Sequence, residues 1–189
     1  MTNITALILA AGYGKRIGKP KLMLEKNGES FLSIIIKNLS NSLIQNILCI
    51  TNKNNNDWAL NNFPQLQTII NPFPENGMLS SVFCGIKFNE INPDGYLIIP
   101  VDLPFVKRET YNLLIKTFLE NSDSIVKPQY KKNSGHPIII PKTLINFITE
   151  SGINNCLNEI IKKSKINKVI VETEDDGILK NINYPEDLI

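Results

Sequence analysis

At 189 residues and 42% hydrophobic content, the chain can bury a substantial core and suits one domain spanning 1–189. Its formal net charge of +2 is too small for bulk nucleic-acid binding, so any basic function is local. Cys49, Cys84 and Cys156 are isolated and odd in number, which favours reduced core thiols over disulfides or a zinc site.

Residues Ile4 to Leu9 form a short, apolar, partly β-branched run, as expected of a buried parallel strand. The run is too short to span a bilayer and no basic region precedes it. Neither a signal nor a membrane segment is expected, and cytoplasm is the default. A glycine-spaced basic loop follows at once: Leu9-Ala10-Ala11-Gly12-Tyr13-Gly14-Lys15-Arg16-Ile17-Gly18-Lys19-Pro20-Lys21. Gly12, Gly14 and Gly18 let backbone approach a ligand closely, and the four basic side chains supply charge for phosphate. The spacing Gly-x-Gly-x-x-x-Gly fails the dinucleotide fingerprint, and the strand ending near Ile50 lacks the ribose-binding acid. Gly18-Lys19 is followed by Pro20, so a Walker loop fails too. The alternative is an ordinary basic strand-to-helix turn.

Further along, Phe31 to Leu39 reads as a helix and Asn46 to Thr51 as a strand. The Asn-rich run Asn52 to Asn56 reads as a turn into a short helix around Trp58. Thr68 to Ile70 is strand-like; Pro72, Pro74 and Gly77 break the chain, and Leu79 to Phe88 has helical spacing. Tyr96 to Val101 is a second buried strand, Glu109 to Leu119 a helix and Ser124 to Lys127 a strand. This strand-then-helix alternation implies a mostly parallel sheet with helices on both faces. Beyond Lys127 the rhythm changes: Ile138 to Ile140 is a short strand, Thr143 to Phe147 and Asn155 to Lys162 are helical, and Lys168 to Glu172 is a late strand. The abundance of Asn and Lys reads as compositional bias.

Ligands in open α/β sheets bind beyond the carboxyl ends of strands, so the glycine loop and the loop after Val101 are expected to face one crevice. Pro100-Val101-Asp102-Leu103-Pro104 sets one carboxylate on that rim. Asp102 suits magnesium, which takes one or two carboxylates together with phosphate oxygens and water, or else it caps a turn.

These residues resemble the MobA-like nucleotidyltransferases, most closely the molybdenum cofactor cytidylyltransferase branch. The resemblance runs through Leu9 to Lys21, Gly77-Met78-Leu79-Ser80-Ser81, Pro100 to Val106, Gly135-His136-Pro137 and Asn181-Ile182-Asn183-Tyr184-Pro185-Glu186-Asp187-Leu188. It implies a Rossmann-like three-layer α/β sandwich of the nucleotide-diphospho-sugar transferase type. It also implies magnesium-dependent transfer of a nucleoside monophosphate from a triphosphate, with release of pyrophosphate. Leu9, Ala10, Ala11, Gly12, Gly14, Arg16 and Lys21 would hold the nucleotide, with Arg16 and Lys21 as its principal cations. Gly77, Ser80 and Ser81 would read base or ribose, unless they simply start a helix. Ala10-Ala11-Gly12 resembles the cytidine users, so CTP is expected.

Asp102 would bind Mg2+. His136, the sole histidine, is placed by the resemblance beside a phosphorylated small-molecule acceptor such as molybdopterin, against a purely structural role. Lys127, Lys131 and Lys132 either attract that acceptor or form a solvated loop. The family commonly shows Asp-Ile-Asp-Thr-Pro-Glu-Asp where this chain has Asn181, Asn183 and Tyr184. Asn183 would thus be an uncharged second metal ligand, with Asp175 and Asp176 as nearby alternatives. Pro185-Glu186-Asp187 reads as a turn and helix start. Two rival functions stand beside cytidylyl transfer to molybdopterin: transfer to a sugar or polyol phosphate, and a noncatalytic cofactor carrier that partners a molybdenum enzyme. A nicotinamide oxidoreductase is opposed by the glycine spacing.

Overall fold

The computed structural model describes residues 3–40, 44, 46–151 and 156–188. Its main sheet begins with β1 (Ile4–Leu9), whose six residues are all buried. A two-strand hairpin follows, β2 (Glu25–Lys26) and β3 (Glu29–Ser30), then α1 (Phe31–Ser40), β4 (Asn46–Thr51), α2 (Asn56–Asn62) and β5 (Gln67–Ile70). Next come α3 (Gly77–Phe88), β6 (Gly95–Pro100), α4 (Arg108–Glu120), β7 (Ile125–Tyr130) and β8 (Asn133–Ser134). The chain continues through β9 (Ile138–Pro141), α5 (Lys142–Ser151), α6 (Leu157–Lys163) and β10 (Lys168–Glu172). Helix α6 takes up most of the expected Asn155 to Lys162 stretch; Asn155 itself lies outside the described residues. No helix among the described residues is long and apolar enough to cross a membrane.

The sheet runs β10-β7-β9-β6-β1-β4-β5, with β8 paired to β7. Parallel pairs join β4 and β6 to β1, β5 to β4, and β10 to β7. Strand β9 is antiparallel to both its neighbours, β6 and β7. The sheet is therefore mostly parallel, as expected, with β9 reversed inside it. That reversal matters for the site. Ile138, at the start of β9, pairs with Ile98 near the carboxyl end of β6, so Gly135 to Pro137 arrive on the same rim as Asp102.

Alternation along β1 sorts the core into two layers, because successive side chains of a strand point to opposite faces. Ala6 and Ile8 join Phe31, Leu32 and Ile35 of α1 and Tyr111, Leu114 and Phe118 of α4. Leu7 and Leu9 join Leu79 and Val82 of α3, Leu144 and Ile148 of α5, and Ile160 of α6. Helices thus cover both faces, which is why β1, β4 and β6 read as mostly apolar runs. The chain has the Rossmann-like three-layer architecture.

Two expectations are corrected here. Asp175 is no metal ligand: it is 3% exposed and its Oδ2 accepts from the Lys107 N–H (2.8 Å) and the Thr110 hydroxyl (2.6 Å), capping α4 from a distant segment. Its Oδ1 accepts from the Gly177 N–H, so both oxygens are engaged. Asp176 is turned to the Lys180 ammonium at 2.7 Å. The second correction concerns the thiols. Cys49 and Cys84 are buried, and burial pushes the Cys49 thiol up to about 12, but Cys156 is exposed at the start of α6.

Candidate functional site

The carboxyl ends of β1 and β6 open onto a cleft of ≈ 250 Å³ lined by Leu9, Ala11, Gly12, Gly14 and Lys21, by Gly77, Met78 and Ser81, and by Asp102. A second hollow of ≈ 230 Å³, lined by Tyr13, Lys15, Arg16, Ile17 and Asn183, shares Gly14 and Lys21 with it. Gly14 makes this join. Its φ of +64° favours glycine, and a Cβ there would sit 1.9 Å from the Lys19 carbonyl oxygen. The turn closes through N–H groups of Ile17 and Gly18 on the Gly14 carbonyl.

Lys21 is the pivot between the hollows. It opens a short 3-10 turn (Lys21–Met23), and its ammonium lies 2.8 Å from Asp102 Oδ2 and 2.8 Å from Asn183 Oδ1. The carboxyl-terminal segment is held in place by a backbone bond from the Ile182 N–H to the Asp102 carbonyl (2.9 Å), with the Ile182 side chain buried. That bond delivers Asn183 to Lys21. Asp187 accepts from the N–H groups of Asn183 and Tyr184, which hold its carboxyl below the usual range, with the Lys21 charge helping. Asp187 therefore shapes the turn, as its place in Pro185-Glu186-Asp187 suggested. Arg16 is exposed, its guanidinium 6.0 Å from the centre of the Tyr184 ring.

The oxygen donors suit a hard divalent cation. Asp102 Oδ2 and Asn183 Oδ1 converge on one point, and the atom already there is itself a cation, the Lys21 ammonium. No group of three or more His, Cys, Asp or Glu side chains able to hold a metal occurs among the described residues. Two protein oxygens could hold such a cation only with other oxygen donors, such as phosphate and water, completing its shell.

His136 sits outside the walls of both hollows but within electrostatic reach of Asp102 and Lys127. Burial, with the Lys127 charge adding to it, lowers its pKa to about 4 against a smaller opposing effect of Asp102. The ring is therefore neutral at pH 7. Its Nδ1 is buried without a hydrogen-bond partner among the described residues. Burial and the Lys168 charge also depress the Lys127 ammonium.

Two of the expected nucleotide residues lie behind the wall. Ala10 is fully buried, and Ser80 is 1% exposed with its hydroxyl on the carbonyls of Phe73 (3.0 Å) and Gly77 (2.8 Å). Ser81 remains on the wall itself. Both serine oxygens accept from Asn71 Nδ2, at 2.8 and 3.1 Å, and Asn71 Oδ1 accepts from the Phe73 N–H. Asn71 thus ties the end of β5 to the start of α3. Asn52 and Asn55 do the same for the first loop, donating to the carbonyls of Ala11 (2.7 Å) and Ala10 (2.9 Å). These asparagines are 2% and 0% exposed, and the sequence reading missed them by taking the Asn-rich run as a turn within a biased composition. A signal was present: the run directly follows the apolar strand β4, at the rim where ligands bind.

The model of the MobA-like NTP transferase domain matches residues 6–169. The chain is 28% identical over 128 residues to a "Probable molybdenum cofactor guanylyltransferase" of Bacillus cereus (strain Q1), covering 67% of this chain and 62% of that protein's length. Among solved structures, a homolog of Mycobacterium tuberculosis Rv0371c from Mycobacterium sp. strain JC1 superposes with a TM-score of 0.81 at 17% identity, over 97% of this chain and 92% of the other. Molybdopterin-guanine dinucleotide biosynthesis protein A from Archaeoglobus fulgidus gives 0.73 at 17% identity, over 97% and 94%.

Proposed function

The chain belongs to the MobA-like NTP transferase domain family, and from that premise we propose that it transfers a nucleoside monophosphate from a triphosphate to a phosphorylated small molecule of the molybdopterin type. Lys21, Asp102 and Asn183 meet at one end of a cleft walled by the glycine loop, and this arrangement carries the proposal. In the reaction a phosphate oxygen of the acceptor attacks the α-phosphorus. The bond from that phosphorus to the oxygen leading to the β-phosphate breaks, and pyrophosphate departs with the electron pair. No protein nucleophile is needed, because alignment and charge neutralisation supply most of the catalysis of such transfers.

Arg16 and Lys21 would bring positive charge to the triphosphate from the two hollows that share Gly14. Asp102, aided by the Asn183 amide oxygen, would hold magnesium, which when bound neutralises charge on the phosphates. His136, uncharged at neutral pH, would offer the acceptor a hydrogen bond and no cation. For the base, the name of the curated relative favours GTP. Ala10-Ala11-Gly12 favours CTP as a second reading, although the Ala10 side chain is fully buried behind the cleft wall.

Pyrophosphate release across GTP, CTP, ATP and UTP, with and without magnesium and with molybdopterin, sugar-phosphate and polyol-phosphate acceptors, tests the proposal. Turnover is expected with one triphosphate, with magnesium and the molybdopterin acceptor. Ligand binding with no turnover in any combination would overturn catalysis and favour the cofactor carrier.

A further inference from the structure

Along a β-strand, successive carbonyls point alternately to the two neighbouring strands. At the end of β1 the Leu9 carbonyl accepts from the Val101 N–H, on the β6 side, and the Ala10 carbonyl accepts from Asn55 Nδ2, on the β4 side. Continued alternation would return the Ala11 carbonyl to β6. Instead it accepts from Asn52 Nδ2, beside Asn55. The two asparagines are locked together, since the Asn52 N–H donates to Asn55 Oδ1 and the Asn55 N–H to Asn52 Oδ1. Two consecutive carbonyls are thus drawn back toward the turn between β4 and α2. In a trans peptide the N–H lies opposite the carbonyl, so the N–H groups of Ala11 and Gly12 both face the other way, toward the β6 side, where Pro100, Val101 and Asp102 line the same cleft. Successive N–H groups turned to one side form a concavity for an electron-rich oxygen.

We propose that Asn55, acting with Asn52, is a positioning residue that aims the Ala11 and Gly12 N–H groups at an oxygen of the bound nucleotide. This rests on the reading of the cleft as a nucleoside triphosphate site. Asn55→Asp is the sharpest variant: it keeps the oxygen that accepts from the Asn52 N–H and replaces the donor to the Ala10 carbonyl with a second acceptor. Asn56→Ala is the control. It removes a buried bond to the Thr51 hydroxyl (2.8 Å) in the same turn and touches neither alanine carbonyl.

Calorimetric binding of GTP, CTP and inorganic tripolyphosphate is measured with magnesium, well below the thermal midpoint of each protein. Asn55→Asp is expected to weaken the preferred triphosphate about tenfold or more, and Asn56→Ala to leave it within about twofold even where it lowers the midpoint similarly. A matching loss for tripolyphosphate places the oxygen on phosphate; a loss confined to the nucleotide places it on sugar or base. Equal affinities for wild type and Asn55→Asp overturn the inference alone. Absence of binding by the wild type overturns the proposed function as well. Amide NMR of the wild type needs no variant: the Ala11 and Gly12 resonances are expected to shift on saturation with the preferred triphosphate, and unmoved resonances overturn the inference even if Asn55→Asp fails to fold.

Discussion

On the β4–β5 side of the crevice the polar groups that shape the wall are neutral, buried and hydrogen-bonded, whereas on the β6–β9 side they centre on charged or titratable groups and are only part-buried. Asn52, Asn55 and Asn71 are each at most 2% exposed; Asn52 and Asn55 bond each other and backbone carbonyls, and Asn71 bonds two serine hydroxyls and a backbone N–H. Lys21 and Asp102 keep about a fifth of their side-chain surface exposed, 19% and 22%, and their cross-links rely on residues 81 and 162 positions apart. A buried amide network fixes backbone and resists exchange, because each unmade bond in a dry interior is costly. A wet ion pair is cheap to open, since water and salt screen it. The first side is suited to holding a rigid outline, and the second to trading an ammonium for a metal or phosphate.

The largest effect is expected where the exchangeable side is broken. Asp102→Ala should lower magnesium-dependent turnover by about 10²–10³ or more in a pyrophosphate-release assay, while changing stability by at most about 1 kcal/mol in urea. A comparable loss of stability would erase the contrast between the sides. Asn71→Ala should do the reverse, costing about 2–3 kcal/mol by chemical denaturation because it strands the Phe73 N–H and removes a donor from both serines.

The smallest effect is one of pH. The His136 pKa falls to about 4 in the folded chain from an ordinary 6.5, so the unfolded chain binds more protons between these values. Stability is therefore full above about pH 6.5 and declines as pH falls toward 4, by on the order of 1–3 kcal/mol for this group. With no other histidine in the chain, His136→Gln should flatten that slope in urea titrations at pH 4.5 and 7. An unchanged slope would show that carboxylates alone set it.

Much of the fold was legible in the residues. Apolar runs announced β1, β4 and β6, and their alternation with amphipathic segments announced the covered parallel sheet. The hairpin of β2 and β3 went unread although Asn27-Gly28, both at positive φ (55° and 77°), is a strong turn signal. The reversal of β9 was not legible, because a four-residue buried strand carries the same apolar pattern in either direction. In the site, Arg16, Lys21 and Asp102 stood out through their loops, whereas Asn55 did not, since an asparagine in a turn and one that steers a distant carbonyl look alike in one dimension.

By itself, then, the sequence determined the layers, the glycine loop and the acid on the rim, because periodicity and backbone freedom are local properties of the chain. Only the tertiary structure decided that Asn183 and Asp102 share the Lys21 ammonium, that Asp175 caps α4 instead of waiting for a metal, and that Asn52 and Asn55 turn two carbonyls away from the cleft. A hydrogen bond is settled over about 3 Å in space, and the partners here are brought that close by strand order and chain crossings that no local pattern encodes.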